Sequence, residues 1–220
     1  MPSQKLRGCR LLLGSLIALL LAFPFLEEVT RPSFLILPIA VVFVLGVVAV
    51  HEGRAHLRRA LVLATIQVIF TGLSVLLREQ PVPYLASVSM TMAAIVALIL
   101  FSMYCVLRYV LRARVITRDQ IYGGICAYLM LGFAFGAVFY LLNILVPDSF
   151  AVNTRLPVVG ENPDLMYFSF VTLATLGYGD ITPLSRFARS LSELEALTGS
   201  LYIAVFMARL VSMVTVHDNK

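Results

Sequence analysis

Charged residues are scarce in this chain of 220 residues, and tryptophan is absent. Only 13% of the residues are charged, roughly half of the ~25% that is usual in soluble domains. The hydrophobic share is 60%, which is more apolar surface than a compact soluble domain of this size can bury. The composition therefore excludes a soluble enzyme, a disordered tail and a nucleic-acid-binding domain, and it predicts that lipid surrounds most of the chain.

Cysteines are few and odd in number. Cys9 lies in the N-terminal tail, and Cys105 and Cys126 lie in apolar runs, so the sequence predicts no disulfide framework. The net charge of +5 would suggest a nucleic-acid partner in a soluble protein. Here the basic residues flank apolar runs, a position typical of anchors on the cytoplasmic side of a membrane.

Six apolar runs follow one another, and each is long enough to cross a membrane as a helix. They cover residues 11–26, 33–50, 60–77, 85–107, 121–146 and 191–216. The first run has a basic start but no A-x-A-like cleavage site, which favours a retained helix over a signal peptide. Lysine and arginine concentrate in the segments that lie inside when the N-terminus is cytoplasmic, so we predict six crossings with both termini inside.

A distinctive segment, residues 167–180, precedes the last run. Its first half is apolar but too short to cross, and its second half reads Thr175-Leu176-Gly177-Tyr178-Gly179-Asp180. This pattern predicts a re-entrant helix with an extended return. A dehydrated cation needs oxygen ligands, and backbone carbonyls supply them when consecutive carbonyls point to one side. Glycine permits the backbone angles that such alignment requires.

This hexapeptide resembles the filter signature T-V-G-Y-G-D of the potassium channel superfamily, with leucine in place of valine. The resemblance covers residues 121–216 and implies an outer helix, a pore helix, a filter and an inner helix, with four chains per pore. It implies K⁺ as the permeant ion and no cofactor. The implied K⁺-binding positions are Thr175, Leu176, Gly177 and Tyr178. The positions implied for filter support and the outer mouth are Gly179, Asp180, Tyr167 and Phe168.

The last run carries further candidate residues. The resemblance makes Gly199 a gating hinge, and close helix packing by a small residue is the alternative. One face of this helix is predicted to line the cavity, and packing against other helices or contact with lipid is the alternative. This face contains Gly199, Ile203, Met207 (or its neighbour Phe206), Leu210 and Met213. Two acids, Glu193 and Glu195, lie in the outer turns, where they either hold this helix end near the filter or are simply solvated.

The remaining runs resemble the first four spans of voltage-gated channels without their charges. Residues 1–118 are predicted to form a four-span N-terminal membrane domain, and residues 119–220 the pore domain. The fourth run, residues 85–107, contains no basic residue, whereas voltage sensors need several in that span. Strong voltage gating is therefore not expected, and the gating stimulus stays open.

These observations predict an all-α membrane protein with six transmembrane helices, a re-entrant pore helix and a selectivity filter, assembled as a homotetramer in a lipid bilayer. The predicted function is potassium-selective conduction and not enzymatic catalysis, and no nucleic-acid partner is expected. A non-selective cation channel, or a non-conducting membrane scaffold or ancillary subunit, is the alternative. The compact chain without N-glycosylation sequons favours a prokaryotic plasma membrane.

Overall fold

The computed structural model of the protein describes residues 8–29, 32–50, 53–77, 79–112, 117–152 and 164–218. Side chains are described for residues 8–23, 38–48, 50, 55–77, 79–80, 82–112, 117–152 and 164–209. Almost all of the described chain is helical. In chain order the elements are α1 (Gly8–Val29), α2 (Pro32–Ala49), α3 (Gly53–Leu76), α4 (Pro81–Arg112), α5 (Arg118–Leu145), β1 (Phe150–Val152), α6 (Leu165–Leu173), β2 (Ile181–Pro183) and α7 (Arg186–Asp218).

Within the described residues, four helices are long and apolar enough to cross a membrane. They are Ala55–Leu76, Val82–Arg112, Arg118–Leu145 and Arg186–Arg209. The described apolar stretches of α1 and α2 are shorter, Gly8–Phe23 and Pro38–Val48. Helix α3 exposes several large apolar side chains, among them Val62, Ile69 and Leu76. A water-soluble chain rarely exposes so many on one helix, so the prediction of a helical membrane protein is confirmed.

The chain forms two compact units, Met1–Met130 and Leu131–Lys220, and helix α5 contributes its first half to one and its second half to the other. The sequence predicts a domain boundary after residue 118. That boundary differs in position from the division between the two compact units, and it stays a prediction. In the first unit α2 packs against α1, α3 and α4, and α3 also packs against α4. The Ser102 hydroxyl of α4 lies 2.9 Å from the Phe43 carbonyl of α2, which satisfies a polar group within an apolar interface.

The start of α5 is fixed by polar contacts. Thr117 and Gln120 form one half of a capping box, in which the Thr117 backbone N–H donates to the Gln120 side-chain oxygen at 2.6 Å. Asp119 is buried. Its carboxyl accepts from the Cys9 backbone N–H of α1 at 3.2 Å and from the Tyr109 hydroxyl of α4 at 3.0 Å. One carboxylate therefore joins the ends of three helices.

The second unit contains the short helix and both strands. Strands β1 and β2 pair antiparallel, with Phe150 opposite Pro183 and Val152 opposite Ile181. The Ser149 carbonyl extends this pairing by accepting from the Leu184 N–H at 2.8 Å. The strand that follows the hexapeptide is thereby attached to the segment that follows α5. The short helix α6 packs against α7, and these contacts hold the hexapeptide between two structured ends.

Candidate functional site

Helix α6 begins with a side-chain cap. Asp164 accepts a hydrogen bond from the Tyr167 backbone N–H at 2.9 Å, which satisfies one of the donors that a helix N-terminus leaves free. The helix that follows has nine residues, most of them apolar. At 1.5 Å per residue they extend about 14 Å, roughly half of a bilayer's hydrocarbon core. This helix is too short to cross, and the chain has to turn at its end.

Helix α6 ends in a Schellman motif that leads directly into the hexapeptide. The Leu176 N–H donates to the Val171 carbonyl, and the Thr175 N–H donates to the Thr172 carbonyl, both at 2.9 Å. Thr175 takes the left-handed position of this motif with φ +57°. Glycine usually occupies that position, and a left-handed side chain costs about 1–2 kcal/mol. The end of the helix and the start of the hexapeptide are therefore one structural feature.

The backbone alternates in handedness through the hexapeptide. Positive φ angles occur at Thr175, Gly177 (+54°) and Gly179 (+78°), while Leu176 and Tyr178 between them do not have positive φ. A backbone that alternates in handedness can place successive carbonyl groups on one side of the chain, which is the arrangement that the sequence predicts for this segment. The side chains of Leu176 and Tyr178 are 56% and 67% exposed. A row of backbone oxygens without a covering element is an arrangement that can replace the hydration shell of a cation.

Helix α5 comes close to α6 at two glycines. A Cβ placed on Gly132 would lie 2.6 Å from the Phe170 ring, and one on Gly136 would lie 2.7 Å from the Met166 sulfur. Neither glycine was predicted from the sequence to make such a contact. Their spacing, Gly132-Phe-Ala-Phe-Gly136, is the small-residue pattern that lets membrane helices approach closely, and it could have indicated this contact.

Gly199 of α7 makes a similar approach from another side. A Cβ at this position would lie 2.6 Å from the Leu173 carbonyl oxygen and 2.8 Å from the Leu173 side chain. Because Leu173 is the last residue of α6, Gly199 packs directly behind the start of the hexapeptide. The structure therefore gives Gly199 a packing role. Its role as a hinge stays a prediction.

The two aromatic residues at the start of α6 have different surroundings. Phe168 is buried and packs edge-on against Phe139 and Phe150, with ring centroids 5.2 and 5.4 Å apart. Its ring belongs to an apolar cluster shared with Leu165 and Ile181. Phe168 thus anchors α6 and β2 in the second unit by packing, for which an aromatic ring without a polar atom is well suited.

Tyr167 lies on the exposed side and contacts the last residue of the hexapeptide. Partial desolvation of the hydroxyl, together with its hydrogen bond to the Asp180 carboxyl, raises the pKa of Tyr167 to about 12. In this hydrogen bond the Tyr167 hydroxyl is the donor and the Asp180 carboxyl is the acceptor. Asp180 also accepts from the Ile181 backbone N–H at 3.0 Å. Both ends of α6 are in this way connected to the hexapeptide.

The predicted cavity-lining face of α7 is described only in part. Ile203 and Met207 are exposed, while Phe206 is half-buried and stacks on Tyr202 with ring centroids 5.8 Å apart. The predicted positions Leu210 and Met213 lie outside the described side chains.

The two acids of α7 differ in environment. Glu193 is exposed. Arg189, one turn before it, uses its Nε to donate to the Pro183 carbonyl at 3.2 Å. Glu195 is completely buried, and its Oε1 lies 2.5 Å from the Ser169 hydroxyl of α6. Both acids were predicted as candidates from the sequence, and their different environments emerge only in the structure.

Comparisons with known proteins match part of the chain. A family model described as ion channel matches residues 127–216. Over 88 residues the chain is 38% identical to two-pore potassium channel 3 and 35% identical to two-pore potassium channel 2, both of Arabidopsis thaliana. These matches cover 40% of this chain but only 19% and 18% of the relatives.

A bacterial relative matches a shorter stretch. The chain is 46% identical over 46 residues to the inward rectifier potassium channel Kirbac3.1 of Paramagnetospirillum magnetotacticum, which is 21% of this chain and 16% of that protein. The chain thus spans less than a fifth of each of these curated relatives. No solved structure matches it. The comparisons support a place in the potassium channel superfamily and point to a channel rather than an enzyme.

Proposed function

We propose that the chain is one subunit of a potassium-selective channel that conducts K⁺ passively across a membrane. The observation that carries this proposal is the backbone of residues 175–179, in which left-handed residues alternate with residues of negative φ. In support, the family model described as ion channel covers this segment, and the relatives named above are potassium channels.

The chemistry of the segment suits K⁺ as the permeant ion. Carbonyl oxygens of Thr175, Leu176, Gly177 and Tyr178 would form successive rings around the ion when four chains surround one axis. The negative C-terminal end of the α6 dipole favours a cation next to it. Asp180 adds negative charge at the outer mouth. K⁺ is cargo in this proposal, and no resident metal or cofactor is needed.

A homotetramer follows from the one-sided filter. Among the described residues, nothing lies within 4 Å of a Cβ built on Gly177 or Gly179, so one chain leaves the segment open at these two positions. Four copies would complete the ligand shell that one copy lacks. We further propose six crossings in a prokaryotic plasma membrane with both termini cytoplasmic, as the apolar runs and basic residues indicate.

The deciding experiment is reconstitution of the purified full chain into liposomes and planar bilayers. We expect a cross-linked tetramer, ion flux driven by a K⁺ gradient, and a reversal potential that follows K⁺ rather than Na⁺. Equal permeability of the two ions would contradict the carbonyl rings and favour a non-selective cation channel. Absence of flux from a correctly assembled tetramer would favour a scaffold or ancillary subunit.

A further inference from the structure

A carboxyl group is buried behind α6, away from the hexapeptide. Glu195 of α7 is 0% exposed, and its Oε1 lies 2.5 Å from the Ser169 hydroxyl. The same hydroxyl lies 2.8 Å from the Gly132 carbonyl of α5. Ser169 is also completely buried. One hydroxyl group therefore joins three helices of the second unit.

The number of protons available to the Glu195, Ser169 and Gly132 oxygens indicates the charge of Glu195. Ser169 has a single hydroxyl proton, and the Gly132 carbonyl can only accept. An ionised Glu195 could also only accept, so one of the two short oxygen–oxygen contacts would lack a proton. A carboxylic acid removes the conflict, because Glu195 then donates to Ser169 and Ser169 donates to Gly132.

The surroundings of Glu195 agree with a neutral group. No basic side chain among the described residues pairs with it, and its second oxygen, Oε2, is buried without a hydrogen-bond partner. A buried carboxylate needs a counter-charge or several donors. The carbonyl oxygen of a neutral acid carries far less charge, and it tolerates the missing partner better.

The position of Glu195 connects it to the candidate filter. Glu195 and Gly199 are four residues apart and lie on one face of α7, where they contact Ser169 and Leu173 of α6. These two contacts together set the register of α7 against α6. Displacement at Ser169 would be transmitted along the short helix to Thr175.

We propose that Glu195 is a protonated, neutral positioning residue that donates its proton to Ser169 and thereby holds α6 behind residues 175–179. The effect on conduction rests on the proposed function. The protonation state and the three-helix link do not, because both belong to the second unit of the chain itself.

Infrared spectroscopy of the reconstituted full chain tests the protonation state. We expect the carbonyl stretch of a protonated carboxylic acid in the wild type, shifted in D₂O, and its loss in Glu195→Gln. The matched control is Glu193→Gln, which replaces the exposed acid two residues away and should keep the band. Absence of the band from the wild type, or its survival in Glu195→Gln, would overturn the proposal.

Variants that keep or remove the hydrogen bond test the positioning role. Glu195→Gln retains a donor to Ser169, so we expect heat dissociation of the tetramer and the K⁺ over Na⁺ permeability ratio to stay near the wild-type values. Glu195→Ala and Ser169→Ala remove a buried hydrogen bond, and we expect about a tenfold shift of the assembly equilibrium toward monomers. An equal loss of tetramer stability in Glu195→Gln and Glu195→Ala would overturn the hydrogen-bond role. If the wild type assembles but does not conduct, the proposed function fails while the infrared and dissociation results still judge this proposal. If it does not assemble, the infrared result alone judges it.

Discussion

Thr175 combines two tasks in one residue. It is the left-handed residue that ends α6 and the first position of the proposed filter. A β-branched residue with positive φ is a true outlier, and such outliers persist where the surroundings over-determine them. The two hydrogen bonds of the Schellman motif, at Thr175 and Leu176, supply that constraint. A glycine would relieve the strain but would remove the hydroxyl group.

Gly177 allows a residue-scale test of the filter backbone. Its φ of +54° lies in the left-handed region, and among the described residues nothing lies within 4 Å of its Cβ position. Gly177→Ala should therefore reduce K⁺ over Na⁺ selectivity through backbone strain of about 1–2 kcal/mol per subunit, while membrane insertion is unchanged. Reversal potentials in K⁺/Na⁺ gradients measure the effect.

The matched control for this substitution is Gly72→Ala. Gly72 lies inside helix α3, also has nothing within 4 Å of its Cβ position, and does not have positive φ. Alanine at an exposed helical position should be neutral or slightly stabilising. Unchanged selectivity in a folded Gly177→Ala tetramer would contradict the assignment of this residue to the filter.

At the scale of the elements, α6 is held by small residues on both neighbouring helices. Gly132 and Gly136 of α5 approach Phe170 and Met166, and Gly199 of α7 approaches the Leu173 carbonyl. Lipid tails are as apolar as side chains, so close van der Waals packing has to stabilise such contacts in place of the hydrophobic effect. The short helix is therefore in close contact with all three glycines.

Substitution of Gly199 distinguishes packing from hinge motion. A Cβ would lie 2.6 Å from a backbone oxygen, and overpacking of this kind typically costs about 1–3 kcal/mol. We expect Gly199→Ala to lower the temperature at which the tetramer dissociates, whereas Ser200→Ala at the adjacent exposed position should not. Unchanged thermal stability combined with a reduced open probability would instead favour a hinge.

At the scale of the whole molecule, helix α4 carries its basic side chains at its C-terminal end. Between residues 85 and 107 this helix has no basic side chain. The Arg108 guanidinium donates to the Tyr104 hydroxyl at 3.0 Å, and Arg112 is the last residue of the helix. Moving one charge through the full membrane field is worth ~2.3 kcal/mol per 100 mV, so steep gating needs several charges that this helix lacks.

We therefore expect conductance to depend only weakly on voltage. A conductance–voltage curve in symmetric K⁺ measures this dependence, with Arg108→Gln and Arg112→Gln as variants that should leave its slope unchanged. A steep sigmoid that either variant flattens would show that these arginines sense the field.

Much of the fold could be predicted from apolar runs. Each of the six runs lies within one of the helices α1–α5 and α7, apart from at most one residue at its C-terminal end, because a backbone surrounded by lipid has to satisfy its polar groups internally. The short helix followed by a left-handed glycine segment was also predictable from residues 167–180. The strand pair of Phe150–Val152 with Ile181–Pro183 was not, because three-residue strands have no periodic pattern and form only when distant segments meet.

Composition and one hexapeptide were sufficient to predict a helical membrane chain and the location of its candidate filter, because run length and glycine spacing act locally. The roles of Glu193 and Glu195 required the packing of three helices. With 3.6 residues per turn, residues two apart point in different directions, so at most one of the two acids could face α6. Which of them does so depends on how closely α5, α6 and α7 approach one another, and that distance is decided by contacts between residues far apart in the chain.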